Sequence, residues 1–140
     1  MGSRAWHIAR AEHNYKAAEH LKQTEFTDWA LTALFYSALH HVHSSLADQP
    51  GLYKDERHPR KHSAPRGAQY GGRGVNQLVR DLYEPIHVDY ISLFELSMRT
   101  RYESKLITDI YERTHEQWEV VRNFCRGINQ GRPTIPTSAP

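Results

Sequence analysis

The stretch Arg57-His58-Pro59-Arg60-Lys61-His62 holds residue types that could cut RNA. A guanidinium can grip the scissile phosphate and steady the charge that develops on it. An imidazole can take the proton of the neighbouring 2′-hydroxyl, because histidine titrates near neutral pH. Arg57 and His62, with four positions between them, would supply the two groups, and His40 or Tyr102 would assist. Among ten histidines such a spacing also arises by chance. His40, His41 and His43 fall together on one predicted helix. His40 shares a face with Trp29 and Tyr36, and reads either as a hydrogen-bonded core histidine or as a substrate-orienting imidazole. His58 and His62 could chelate zinc from one helical face. Pro59 disfavours helix between them, and no acid or cysteine stands at ligand spacing nearby. Neither a metal nor a cofactor is expected. Gly71-Gly72-Arg73-Gly74 follows no strand and reads as a hinge, not a phosphate loop.

Charge is unevenly spread. The formal net charge is only +2. Residues 54–80 nevertheless hold Lys54, Arg57, Arg60, Lys61, Arg66, Arg73 and Arg80 against Asp55 and Glu56. Such a block is either a solvated loop or a polyanion contact, RNA or DNA. In the second case Lys54, Arg60, Lys61, Arg66, Arg73 and Arg80 bind the nucleic acid.

Helices must position these groups. Ile8, Ala11, Tyr15, Ala18 and Leu21 recur at helical steps and predict a helix over Arg4–Lys22, with Thr24 or Thr27 capping the next. A second helix, Asp28–Asp48, carries two stripes. Leu31, Phe35, Ala38, Val42 and Leu46 form one; Trp29, Ala33, Tyr36, His40 and Ala47 form the other. Apolar over most of its girth, this helix belongs in the middle of a bundle. Prolines at 50, 59 and 65 and five glycines make 49–74 irregular, a length of loop that is often functional. Short helix Val75–Tyr83 follows, then Ile86–Glu103 after Pro85. The last helix is expected to begin near Ser104 or Lys105, with Ile107, Tyr111, Thr114, Trp118, Val121, Cys125 and Ile128 as a heptad-like seam. The fold class is therefore all-α: an up-and-down bundle of four to five helices with a long basic loop between the second and third. One domain spans 1–130, and a loose Pro/Thr/Ser tail spans 131–140. The single Cys125, the absence of an apolar leader and the lack of any ~20-residue apolar run point to a cytoplasmic protein with no membrane contact.

The run Trp29-Ala30-Leu31-Thr32-Ala33-Leu34-Phe35-Tyr36-Ser37-Ala38-Leu39-His40 resembles the second helix of small bacterial HEPN domains. So does the later run Tyr90-Ile91-Ser92-Leu93-Phe94-Glu95-Leu96-Ser97-Met98-Arg99-Thr100-Arg101-Tyr102. In element order the resemblance covers about residues 5–125. It implies a bundle of four or five helices that pairs into a homodimer, and a toxin–antitoxin or antiviral setting. The ribonucleases of that superfamily carry an Arg-polar-(x)-His motif on a late helix. Here the matching positions hold Ser97 and Tyr102, which supply neither a guanidinium nor a base suited to neutral pH. Three functions follow as expectations. A domain binding nucleic acid, a nucleotide or a partner protein would use the basic loop and a groove walled by Trp29, Tyr36, Ser97 and Arg101, beside His40 and Tyr102. A metal-independent endoribonuclease would use Arg57 and His62. A purely structural dimer would use none of them.

Overall fold

The Ser3 hydroxyl accepts a hydrogen bond from the Trp6 backbone N–H at 3.2 Å, an N-cap that starts the first helix. The computed structural model describes residues 3–49, 74–102 and 110–129. Helix α1 spans Arg4–Leu21 and buries His7, Ala11 and Ala18. The small side chains of Ala11 and Ala18 allow close approach of α2, Thr27–Leu46. Between them Thr24 uses its hydroxyl twice, donating to the Leu21 carbonyl at 2.7 Å and accepting from the Phe26 N–H at 3.0 Å. That hydroxyl therefore locks the turn and does not cap α2, whose N-cap position is Phe26 with no side-chain bond. Thr27 is the first residue inside the helix. Asp28 in the first turn faces the positive end of the helix dipole.

Four long helices alternate in direction. Ser37 of α2 donates to the Ala11 carbonyl of α1 at 2.8 Å, and His7 near the start of α1 meets His43 near the end of α2. Helix α4, His87–Tyr102, runs back along α2, so Thr32 meets Thr100 at 3.1 Å. Helix α5, Tyr111–Asn129, lies antiparallel to α1, with Tyr111 donating to Glu19 at 2.8 Å. Short helix α3, Val75–Leu82, and a 3-10 turn at Glu84–Ile86 lead into α4. Pro85 lacks a backbone N–H, so this tighter turn costs no donor there. Tyr83 anchors the junction: its buried hydroxyl meets Ser45 Oγ at 2.6 Å and accepts from Gln49 at 3.3 Å.

Helix α2 packs against α1, α4 and α5. Leu31, Phe35, Ala38, Val42 and Leu46 are all buried, as their spacing predicted. So are Tyr111, Thr114, Trp118, Val121 and Cys125 of the α5 seam. The described residues form an all-α bundle with no strand. One boundary moves. Helix α5 begins at Tyr111, later than Ser104 or Lys105, and Ile110 lies just outside it. The Ile110 carbonyl accepts from both the N–H and the hydroxyl of Thr114, so the first hydrogen-bonded turn begins where the buried seam begins. Ile107 and Glu103, the expected tail 131–140 and most of the expected loop lie outside the described residues. No helix among the described residues is long and apolar enough to cross a membrane.

Candidate nucleic-acid interface

The antiparallel contact of α2 and α4 brings Tyr36, Ser97 and Arg101 together. Ser97 is buried and donates to the Phe94 carbonyl at 2.8 Å, a local bond that fixes its oxygen. Arg101 lies one turn further on. Its Nε donates to the Ser97 carbonyl at 3.0 Å, Nη1 to the Tyr36 hydroxyl at 2.9 Å and Nη2 to Ser97 Oγ at 3.3 Å. Nη2 also lies 3.3 Å from Met98 Sδ. Every one of these acceptors is neutral, and among the described residues no carboxylate pairs with Arg101. The guanidinium carbon sits 5.5 Å from the ring centres of both Tyr36 and Tyr102, within cation–π reach. The result is a guanidinium fixed in direction whose partners among the described residues are all uncharged.

The other expected site residues are divided. Trp29 stands exposed at the start of α2, and Tyr102 is exposed at the end of α4. Arg80 is exposed on α3 and pairs with Asp81 at 2.9 Å, which partly cancels its charge. Lys54, Arg57, Arg60, Lys61, His62, Arg66 and Arg73 lie outside the described residues.

His40 turns toward α1. Its Nδ1 lies 3.0 Å from His7 Nδ1, with the rings stacked at 5.2 Å, and His43 also stacks on His7 at 5.1 Å, 6.4 Å from the His40 ring. A contact this short needs a proton on one Nδ1 and a lone pair on the other, which two imidazolium rings cannot provide. Burial, then the charge of Arg10, pushes His40 down to about 4. Burial, then His40, then the N-terminal charge, does the same to His7, also to about 4. Such a weakly basic imidazole is neutral at pH 7 and is ill matched to general-base work there. His40 is half-buried and partnered by His7.

Sequence reasoning missed His7. It assigned the inward position to Ile8, because apolar spacing was its only guide; the structure buries His7 and leaves Ile8 half-exposed. The three histidines do not form a metal cluster, and no group of potential ligands suited to a metal occurs among the described residues. No protein-family model, curated protein or solved structure matches this chain.

Proposed function

We propose that this chain is a HEPN-like helical domain that dimerises and binds RNA along the α2–α4 groove, in a toxin–antitoxin or defence-type setting. The observation that carries this reading is Arg101, a guanidinium oriented by Ser97 and Tyr36, flanked by two tyrosine rings and paired with no acid among the described residues. Phosphate suits such a planar donor, and the exposed Tyr102 ring offers a face on which an unpaired base can stack. The HEPN resemblance of the two runs that build the groove supports the same reading, as does the basic stretch between α2 and α3.

Fluorescence anisotropy with a labelled single-stranded RNA over a series of salt concentrations tests it. Affinity should fall with salt, and Arg101→Gln should weaken binding by about tenfold and lower the salt slope by about 1. An affinity indifferent to both salt and Arg101→Gln would overturn the RNA reading and turn the groove toward a partner protein. The same samples, held in EDTA, should keep their RNA intact. Cleavage that disappears in His62→Ala would instead establish the endoribonuclease reading, with Arg57 holding the phosphate.

A further inference from the structure

On the opposite flank of α2 a cleft of about 380 Å³ opens between α1 and α5. Tyr15 and Trp118 stack there, ring centres 4.2 Å apart and planes within 11°, and hold the two helices a ring pair apart. Trp118 is fixed by its indole N–H, which donates to Ser37 Oγ at 2.9 Å. Three cations line the opening: Lys16 from α1, Arg122 and Arg126 from α5. Among the described residues Glu12 is the one acid in the lining. It faces Arg126 at 3.8 Å from a largely exposed position, and Arg122 meets Glu119 at 3.7 Å. Ion pairs this long and wet do little to discharge their arginines. On the inner wall lies His41, which is 1% exposed and whose buried Nδ1 has no hydrogen-bond partner among the described residues. Leaving such a nitrogen unmet costs about 1–3 kcal/mol, and in native proteins such groups usually have a partner, protein or ordered water.

We propose that this α1–α5 cleft binds a small organic phosphate of nucleoside-monophosphate size, its phosphate on Lys16, Arg122 and Arg126 and its organic part against Tyr15 and Trp118. Guanidinium forks match phosphate oxygens, and the volume falls within the usual range for small-molecule sites, roughly 300–1,000 Å³. The positive charge of the cleft is felt at His41, which burial and then Arg126, Arg122 and His40 hold at about 3. This site is separate from the α2–α4 groove, and its existence does not depend on RNA binding there.

Isothermal titration with adenosine 5′-monophosphate, ribose 5-phosphate and adenosine tests the proposal on the full chain. Both phosphates should bind and adenosine should not. Arg126→Gln and Lys16→Gln should each weaken monophosphate binding about tenfold, the loss expected for one charge-assisted hydrogen bond. Arg113→Gln, on an exposed position of α5 outside the lining, should bind as the parent does. The Trp118 indole N–H resonance, retained in each variant, reports that the fold is intact. No heat at millimolar monophosphate, or adenosine binding as tightly as the monophosphate, would overturn the proposal. So would an affinity unchanged in Arg126→Gln. An affinity lost only in Arg101→Gln would assign the binding to the groove and also overturn the cleft.

Discussion

Ser37 joins three helices with one hydroxyl. It donates to Ala11 on α1 and accepts from Trp118 on α5, while its own backbone belongs to α2. All of this is buried, so removing the hydroxyl leaves the indole N–H without a partner. Ser37→Ala should cost about 1–3 kcal/mol, measured as a lower urea midpoint with an unchanged slope. No periodicity argument could single Ser37 out. A serine flanked by Tyr36 and Ala38 on a mostly apolar helix reads the same whether its oxygen bridges helices or merely bonds to its own backbone. Arg101 was expected in the groove from its place in the run Tyr90–Tyr102. Its set of neutral acceptors was not, because Tyr36 is far away in sequence.

At the scale of elements, α2 was the most readable part of the chain. Its first stripe is core throughout. Its second stripe follows the seam left open between α1 and α4: Ala33, Tyr36, His40 and Ala47 are half-buried, and Trp29 is 53% exposed. The reason is geometric, since three helices cannot cover a fourth all round. The antiparallel pairing also brings the start of α2 beside the end of α4, where Phe26, Trp29, Met98 and Tyr102 are exposed, Tyr102 at 73%. Large exposed aromatics clustered at one end of a bundle favour association. The proposed homodimer should use this end, and Trp29→Ser should shift the sedimentation coefficient to that of a monomer. A parent chain that sediments as a monomer at every concentration removes the dimer.

The whole molecule stores a pH dependence in its histidines. His7 and His40 are held at about 4 and His41 at about 3, all from an ordinary 6.5. These folded values lie below the unfolded one, so from pH 6.5 downward the unfolded chain takes up protons that the folded chain refuses. Stability from this source is complete above pH 6.5 and is lost as pH falls toward about 4 for His7 and His40 and about 3 for His41. Each histidine contributes at most about 1.4 kcal/mol per pH unit, and His7 with His40 titrate as a coupled pair. The urea midpoint should therefore be level above pH 6.5 and drop below it. In His41→Asn that drop should be shallower, with the midpoint at high pH free to shift. An equally steep fall in the variant would show that His41 is not a source.

From the sequence alone came the helices, their inward faces and the all-α class, because apolar residues three and four apart need only their neighbours along the chain to declare a buried stripe. The expected wall of Trp29, Tyr36, Ser97 and Arg101 rested on resemblance, and the structure joins three of the four, Tyr36, Ser97 and Arg101. Only the tertiary structure brought Arg101 onto Tyr36, His7 onto His40, and Lys16 beside Trp118, Arg122 and Arg126. Those meetings join residues tens of positions apart. Helix crossing and register fix such contacts, and local periodicity does not encode them.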